Sequence, residues 1–370
     1  MTQVGVIFAL FAVSSLGGNL LGGNLTDRFG RKKIAIFGLL ISGFSSLLLG
    51  IINDINLLYA TVLLVGFFSS LGEPAQSAMV ADLLPAEQRN EGYGILRVVA
   101  NLAVTIGPAI GGILAARSFM TLFILDAVLS AITALIVFIW LPETHPQLIN
   151  LEKSEKIIEK PLEGGYAEIL RDGLFILIVV FSTFSAIVYM QMNSTLPVFL
   201  RDEHAVSTIR FGYLLSMNAA IVVLFQFWVS RRIKRFPTMK LLAVGTLFYM
   251  VGFGMYGFTN IYIWFIIAMI IITIGEMIVS PTSQALVAQL APEDKRGRYM
   301  AFSGMAWVIS TMLGPLAAGI IIDNYNPNWV WYAGIILTFI AAAGFGLLHS
   351  PIQRRLKLLE VPVKNDTAMD

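Results

Sequence analysis

The sequence predicts an all-α, polytopic membrane protein, and its composition and its pattern both support this fold class. Of the 370 residues, 57% are hydrophobic and only 13% are charged, and the mean hydropathy is +0.78. A soluble domain carries roughly 25% charged residues, so lipid is the expected solvent for this excess of apolar side chains. Apolar runs of about 20 residues, the length needed to cross a bilayer, also recur along the chain.

Eleven apolar runs are long enough to be membrane spans. Each is expected to be helical, because lipid offers no hydrogen-bond partner to an exposed backbone. Met1-Thr2-Gln3 lacks the basic start of a signal peptide, so the first run is interpreted as a retained anchor. The predicted spans are 4–22, 34–52, 57–82, 93–114, 119–141, 172–200, 210–230, 239–258, 261–288, 299–322 and 329–349.

The lysines and arginines between the spans predict the orientation of the chain. One set of alternate loops and the C-terminal tail together hold 21 of them, whereas the opposite set holds Arg117, Arg201 and Arg210. Because basic loops stay in the cytoplasm, the first set and the C-terminus are predicted to be cytoplasmic, which leaves Met1 outside. The expected location is the plasma membrane.

Several function classes find no support in the sequence. Cysteine is absent and the three histidines are scattered, so neither a disulfide framework nor a metal site is expected. No GxxxxGK[ST] loop for nucleotide phosphates is present. We therefore expect neither an enzyme nor a nucleic-acid-binding protein, and we expect no cofactor.

An internal repeat relates the two parts of the chain. A shift of 207 residues places the first five spans on the last five, an arrangement typical of two-lobed transporters that bind substrate midway between their lobes. Eleven residues recur identically at this spacing: Pro74, Ala78, Val80, Ala81, Leu83, Pro85, Arg89, Gly107, Pro108, Gly112 and Ile113.

The repeat predicts the domain organisation. We expect an N-terminal lobe of five spans at 1–141, a cytoplasmic linker at 142–171, a C-terminal lobe of six spans at 172–349 and a cytoplasmic tail at 350–370. The span at 172–200 has no repeat partner, so the first helix of the N-terminal lobe is predicted to be missing. About forty further residues with one more apolar helix are expected to precede Met1 in a working transporter.

The loop GGNLTDRFGRKK at 22–33 carries a recognisable signature. It resembles the loop between the second and third helices of the major facilitator superfamily, through Gly23, Asp27, Arg28, Gly30 and Arg31. The resemblance covers the chain to about residue 349 and implies the superfamily's fold of two pseudo-symmetric helical lobes, with eleven spans instead of twelve.

In that family the motif forms a latch between the lobes. The resemblance implies that Asp27 faces the start of the penultimate helix near Arg298, and that Arg31 pairs with an acid ending the family's fourth helix, here Asp82. Such a latch would favour the outward-facing state. The alternative is a topology anchor with solvated charges. The C-terminal counterpart at 231–240 has Lys234 in place of Asp27, so it is predicted to be an anchor only.

A second motif favours export. Gly94, Gly107, Pro108, Gly111 and Gly112 resemble the fifth-helix motif of the family's exporters, although Ala103 replaces a glycine. The drug:proton antiporter branch is the closest likeness. Proline can also bend a helix, and small residues allow close packing of membrane helices, so a structural role for this motif stays open.

Charged residues inside the predicted spans are candidates for coupling. Carboxylates in a membrane are costly and usually functional, so Glu73 and Glu276 are candidate proton carriers or cation sites. The alternative is that they hold helices together through hydrogen bonds. Asp126 lies shallower, and Arg97 is expected to pair with an acid or to line the cavity. The arginine that the family's antiporters often carry is replaced here by Val62.

Polar groups on spans near the expected cavity are candidate substrate contacts: Tyr189, Gln191, Asn193, Asn218 and Gln226. The predicted function is secondary transport, with proton-coupled efflux of small hydrophobic or cationic compounds by alternating access. The alternatives are an importer or symporter of a metabolite and a truncated, non-transporting membrane protein. The expected partners are a small-molecule substrate, protons and the lipid bilayer, and the expected state is a monomer.

Overall fold

The structure is a computed structural model that describes residues 2–52, 54–115, 118–145 and 166–360, and the regular elements in these ranges are helical. Single 3₁₀ turns at Ala86–Gln88 and Glu293–Lys295 precede the helices that begin at Arg89 and Arg296. The helices are α1 Thr2–Phe29, α2 Arg31–Ile51, α3 Ile55–Leu71, α4 Glu73–Leu83, α5 Arg89–Ala115, α6 Phe119–Trp140, α7 Tyr166–Arg171, α8 Gly173–Met190, α9 Leu196–His204, α10 Thr208–Ile233, α11 Thr238–Met255, α12 Tyr262–Leu290, α13 Arg296–Asn324 and α14 Trp329–Glu360.

The predicted class, an all-α multi-pass membrane protein, is confirmed. In the described part of the chain, nine helical segments are long and apolar enough to cross a membrane, with α3 and α4 forming one of them. Helices α1 and α5, of 28 and 27 residues, are as long but are not among the nine. The count of eleven spans therefore stays a prediction.

The span predicted at 57–82 is interrupted in the structure. It divides at Gly72 into α3 and α4. Pro74 lies in the first turn of α4 and has no N–H, so the helical hydrogen bond to the carbonyl of Ser70 cannot form. Glu73 stands at this interruption.

The span predicted at 172–200 is also shorter in the structure. Helix α8 ends at Met190, and a turn leads into α9. The side chains of Gln191 and Ser194 each donate a hydrogen bond of 2.9 Å to a backbone carbonyl one turn earlier. Such local bonds compete with a regular helix, and α9 then begins at Leu196, with Pro197 in its first turn.

The segments predicted as linker and tail are partly helical. Residues 146–165 and 361–370 lie outside the described residues. Helix α7 occupies the end of the predicted linker, and α14 continues to Glu360, so the predicted tail begins as helix. An ion pair of 2.6 Å between Arg355 and Asp172 stabilises this extension, because it joins the end of α14 to the N-cap of α8.

The boundaries of the helices repeat with the predicted spacing. Helix α2 begins at Arg31 and α11 at Thr238, while α5 begins at Arg89 and α13 at Arg296. The segment formed by α3 and α4 begins and ends at positions that the same shift places on the two ends of α12, and the shift also superimposes the two 3₁₀ turns. The repeated residues therefore mark equivalent positions in two similar halves.

We refer to α1–α6 as the N-terminal half and to α7–α14 as the C-terminal half. The halves meet where α1 packs against α13 and where α5 packs against α10 and α12. The main hydrophobic core lies in the C-terminal half, around Phe175, Leu286 and Phe345. This packing leaves a space between α1, α4 and α5 on one side and α8, α12 and α13 on the other.

Candidate functional site

A central cavity of about 360 Å³ lies between the two halves. This volume is within the range of ligand pockets in proteins, roughly 300–1,000 Å³. The charged side chains in its described lining are Glu73 and Arg97 from the N-terminal half and Glu276 from the C-terminal half. Tyr189 also lines it. Four of the residues singled out in the sequence therefore meet here.

Glu276 is fully buried and forms an ion pair with Arg97 of the other half. Arg97 donates to the Glu276 carboxylate from Nε at 2.9 Å and also from Nη2. The second carboxylate oxygen accepts a hydrogen bond of 2.9 Å from Asn218, whose amide also bonds to Thr273. A buried charge needs such a complete set of partners, so the pair holds α5 against α12.

Arg97 is also bound to Tyr189. Its Nη2 donates to the Tyr189 hydroxyl at 2.6 Å, and the guanidinium lies 5.8 Å from the centre of the Tyr189 ring. The tyrosine thus positions the arginine from α8. The network joins α5, α8, α10 and α12, which include helices of both halves.

Glu73 differs from Glu276 because its charge is not compensated. It is exposed to the cavity at the start of α4 and accepts a hydrogen bond of 3.3 Å from the amide of Asn19. Within the described residues, no basic side chain reaches ion-pair distance of Glu73. The cavity therefore holds one paired carboxylate and one free carboxylate.

Several predicted cavity residues lie elsewhere. Asp126 is exposed on α6 and does not contribute to the lining. Gln191 is buried in the turn after α8, where it bonds to Ile187 and accepts from Thr195, and Asn193 in the same turn is exposed. This turn lies beyond the end of α8, so these side chains do not face the cavity.

Asn218 and Gln226 stand behind the lining, on α10. Asn218 touches the site only through Glu276. Gln226 is fully buried and donates to Ser230 and to the carbonyl of Met277. Both residues therefore position α12 and have no direct access to the cavity.

The motif acid Asp27 is buried at the N-terminus of α13, with 1% of its surface exposed. Its carboxylate accepts hydrogen bonds from the backbone N–H groups of Gly297, at 2.8 Å, and Arg298, at 2.9 Å. The Arg298 side chain adds a third at 3.0 Å. An acid at a helix N-terminus is stabilised by the helix dipole and by its free N–H groups, so this contact joins the halves.

Two glycines allow this close approach of α1 and α13. A Cβ at Gly23 would lie 2.8 Å from the carbonyl oxygen of Gly297, and a Cβ at Gly297 would lie 2.8 Å from the Asp27 carboxylate. A third glycine, Gly30, has a φ of 101°, which only glycine adopts readily, and it allows the tight turn between α1 and α2. Close contact therefore requires glycine at positions 23 and 297, and the backbone conformation requires it at position 30.

Arg31 is also buried and connects three segments. Its Nε donates to Asp82 at 3.1 Å, and its Nη2 donates to the backbone carbonyl of Glu293 at 2.7 Å. Asp82 is further bound by Arg296 and by the hydroxyl of Thr144. Arg28, in contrast, is exposed and contacts only the neighbouring Phe29 ring among the described contacts.

Part of this network was not predicted from the sequence. Glu143 accepts from the backbone N–H of Arg31 at 2.8 Å, and His145 is buried beside it, although both were assigned to the linker. Burial and the charge of Arg31 lower the pKa of His145 to about 4. The sequence did contain a signal for Arg296, because it is the repeat counterpart of Arg89.

The last turn of α10 and the residue after it also contact the other half. Lys234 and Arg231 lie 3.5 Å and 3.4 Å from the carboxylate of Glu91 in the first turn of α5. Sequence had predicted that this segment, which contains the counterpart of Asp27, acts only as a topology anchor. The ion pairs show that the segment also contacts the N-terminal half, where Glu91 supplies the acid that the segment itself lacks.

The fifth-helix motif lies in an uninterrupted helix. Helix α5 runs from Arg89 to Ala115 through Gly107 and Gly111. No described atom lies within 4 Å of a Cβ built at either glycine, so neither allows a close contact in this conformation. The side chain of Pro108 and the surroundings of Gly112 lie outside what the structure describes.

The repeated helices, the central cavity and the charged contacts between the halves define a multi-pass membrane protein with the architecture of a two-lobed transporter. The model of the Major Facilitator Superfamily matches residues 1–307 and again residues 194–364. The chain belongs to this family. It is therefore a transporter of small molecules and not an enzyme.

Curated relatives from bacteria match over most of their length. A Na(+), Li(+), K(+)/H(+) antiporter of Planococcus maritimus is 27% identical over 377 residues, which cover 93% of this chain and 85% of that protein. The multidrug resistance protein MdtH of Shigella flexneri is 25% identical over 364 residues, with 96% and 87% covered.

Among solved structures, a bacterial homologue of the iron transporter ferroportin in an outward-facing state has a TM-score of 0.77. The match covers 94% of this chain and 91% of that one at 15% sequence identity. At this identity the likeness concerns the fold alone.

Proposed function

We propose that this protein is a proton-coupled exporter that exchanges protons for small hydrophobic or cationic compounds by alternating access. The observation that carries the proposal is the ion pair between Arg97 and Glu276, which joins the two halves inside the cavity beside the free carboxylate of Glu73. Because Glu276 is paired and Glu73 is not, the two carboxylates can have different roles in proton binding and substrate binding.

Glu276 is proposed to be the proton switch. Protonation would remove its negative charge and so remove most of its attraction for Arg97. The pair bridges α5 and α12, so its loss would weaken the contact between the halves at the cavity. A proton could therefore change the balance between two arrangements of the halves, as a ligand with different affinity for two states does.

Glu73 is proposed to attract the substrate. Its free negative charge faces the cavity, and a cation that compensates this charge would be stabilised there. The names of two relatives support this combination, since one is an antiporter of monovalent cations and protons and the other is a multidrug resistance protein. The direction of transport rests on the resemblance of the fifth helix to that of exporters.

The contacts between the halves fit one state of the cycle. If the loops rich in lysine and arginine are cytoplasmic, as the positive-inside rule predicts, then Asp27, Arg31 and Glu91 close the cytoplasmic side. The described conformation would then be outward-facing, and the C-terminus would lie in the cytoplasm of a cell whose plasma membrane holds the protein.

A vesicle experiment tests the proposal. Everted membrane vesicles are energised with a proton gradient, and uptake of a fluorescent lipophilic cation is followed before and after collapse of the gradient. We expect gradient-driven uptake by the native protein, and at least a tenfold loss in Glu276→Gln, because an amide cannot cycle a proton. The exposed Glu87→Gln on the same half as Glu73 is the matched control and should transport normally.

Other outcomes distinguish the alternatives. Unchanged gradient-driven transport by Glu276→Gln would exclude the proposed switch. Counterflow of a nutrient without export of the dye would favour the importer. Absence of dye export, of nutrient counterflow and of proton-driven movement of Na⁺, Li⁺ or K⁺ would favour the non-transporting protein.

A further inference from the structure

The cavity has two chemically different parts. Near Arg97, its wall is aromatic, with the ring of Tyr189 packed 5.5 Å from Tyr249 and 6.1 Å from Trp307. Near Glu73 lie Asn19, which bonds to it, Ser77, one turn further along α4, and Gly304, beside the Asn19 amide. We call this second part the oxygen-rich pocket, because Asn19, Glu73, Ser77 and Ser303, the neighbour of Gly304, carry side-chain oxygens.

Asn19 contributes an oxygen atom without a partner. Its side chain is more than nine-tenths buried, and its Nδ2 donates to Glu73 at 3.3 Å. Its Oδ1 is buried and has no hydrogen-bond partner among the described residues. Leaving a buried carbonyl oxygen unsatisfied is unfavourable, so this atom and the free carboxylate of Glu73 together present oxygen ligands without a counter-charge.

Gly304 provides room for this amide. A Cβ at this position would lie 3.3 Å from Oδ1 and 3.4 Å from Nδ2 of Asn19, which is tighter than most contacts of a real Cβ. The absence of a side chain on this turn of α13 therefore lets the Asn19 amide lie in the pocket.

The helix is irregular at the same place. Glu73 follows Gly72, between α3 and α4, and Pro74 cannot bond to the carbonyl of Ser70. Gly72 keeps helical backbone angles, with φ −85° and ψ −14°, so the irregularity is confined to one turn of a single span. This turn and the two side chains coincide in one pocket.

An alkali cation fits this pocket better than an organic cation. Organic cations bind to aromatic faces, but the Tyr189 ring already faces the guanidinium of Arg97, whose positive charge disfavours a second cation nearby. Carboxylate, amide and hydroxyl oxygens are instead the ligands that replace the water shell of a small metal cation.

We propose that Glu73 and Asn19 form a binding site for an alkali metal cation, which is the transported cation of the exporter. This inference rests on the proposed function and narrows its substrate class. Glu73 supplies the compensating charge, Asn19 supplies a neutral oxygen ligand, and Gly304 holds the space that the amide needs.

The test measures binding and transport separately. The purified full chain in detergent is heated in NaCl, LiCl or KCl and, at equal ionic strength, in choline chloride. We expect at least one alkali salt to raise the Tm of the native protein above its value in choline. In Glu73→Gln the apparent affinity should fall at least tenfold, while Glu87→Gln should respond as the native protein does.

Gly304→Ala guards against a variant that simply fails to fold, because it keeps the carboxylate and adds one methyl group. It should also weaken the alkali response at least severalfold while its Tm in choline stays close to the native value. A native response that persists in both Glu73→Gln and Gly304→Ala would overturn the site.

Dye transport by the same native protein separates the two proposals. Gradient-driven dye export with no alkali effect on Tm would overturn the cation site and leave the exporter intact. If neither dye nor alkali cation is moved by a proton gradient, the exporter itself is wrong, and an alkali-specific Tm shift lost in Glu73→Gln would still support the site.

Discussion

Two ion pairs related by the repeat join the halves, and they carry opposite charges at equivalent positions. Asp27 meets Arg298, whereas Lys234, the repeat counterpart of Asp27, meets Glu91, the repeat counterpart of Arg298. The first pair is buried, with side-chain exposures of 1% and 3%, while Lys234 is 48% exposed. The two contacts therefore occupy equivalent positions, but the buried pair is expected to contribute more to stability than the exposed one.

The difference between the two pairs shows which helix N-terminus needs an acid from the other half. The first turn of α13 has no acidic residue, and Asp27 of the other half binds its free N–H groups. The first turn of α5 already contains Glu91, so its helix dipole is complemented from within the helix. A lysine can then face Glu91 from the other half without being repelled by the helix N-terminus.

The largest effect is expected when the buried pair loses its charge. Asp27→Asn removes the carboxylate shared by Arg298 and the α13 N-terminus, which should cost about 3–5 kcal/mol, the usual result of removing one partner of a buried pair. Thermal unfolding in detergent measures the loss.

A labelling experiment measures access to the cavity. The native chain has no cysteine, so Ser303→Cys introduces a single reactive thiol there. This thiol should react faster with an impermeant maleimide from the cytoplasmic side when Asp27→Asn is also present.

The control is Lys234→Gln at the equivalent position, which should change stability by less than about 1 kcal/mol. Equal losses in both variants would show that burial does not distinguish the pairs. Unchanged cysteine labelling in Asp27→Asn would leave the motif as an anchor without influence on the cycle.

A smaller effect is expected from steric separation of α1 and α13. In Gly297→Ala the new methyl would lie 2.8 Å from the Asp27 carboxylate, and such overpacking typically costs about 1–3 kcal/mol. Gly107→Ala is the matched helical control, because no described atom is within 4 Å of its Cβ. We expect a lower Tm only for Gly297→Ala, and a neutral result there would contradict the close contact.

The stability of the buried network around Arg31 should also depend on pH, through His145. Burial and the charge of Arg31 hold its pKa at about 4, below the ordinary value of 6.5. The unfolded chain therefore binds the proton first, and stability is lost as the pH falls from 6.5 towards 4. The loss is on the order of 1 kcal/mol at pH 5, after allowance for partial solvent screening.

Comparison of Tm at pH 7.5 and pH 5 measures this effect. His145→Gln cannot titrate and should lose less stability between the two values than the native protein does. The same pH dependence in both proteins would mean that His145 is not the responsible group.

The smallest effect is expected at the exposed pair. Glu91→Lys and Lys234→Glu each place like charges together and should cost about 0.2–1 kcal/mol, less at high salt. The double variant restores one pair of opposite charges and should recover part of the loss, because Arg231 and the N-terminus of α5 still face the new lysine. A double variant as unstable as the sum of the single ones would show that the two residues do not interact.

The sequence predicted the fold because lipid demands long apolar helices and because the repeat left identical prolines, glycines and arginines in both halves. The resemblance of the loop at 22–33 to the superfamily's motif also predicted the positions of Asp27 and Arg31 beside Arg298 and Asp82. The roles of these contacts in transport stay predictions.

Other features could not be predicted, because they depend on packing between distant segments. The sequence predicted that Arg97 pairs with an acid or lines the cavity, but it does not indicate that the partner is Glu276, 179 residues away, while Glu73 forms no ion pair. The end of α8 at Met190 depends on side-chain hydrogen bonds within the polar turn at 191–195, which the predicted span at 172–200 had included. The role of Glu91 becomes visible only when α5 and α10 are side by side.

The exchange of charges between the two halves also carries information for assembly. Two N-terminal halves placed together would set Asp27 against Glu91, and two C-terminal halves would set Lys234 against Arg298. Only the mixed arrangement brings opposite charges together, so wrong partners are disfavoured during biogenesis. We expect fragments 1–145 and 166–370, produced as separate chains, to co-purify with each other more readily than either does with a tagged copy of itself. Equal recovery of like and unlike fragments would show that other surfaces select the partner.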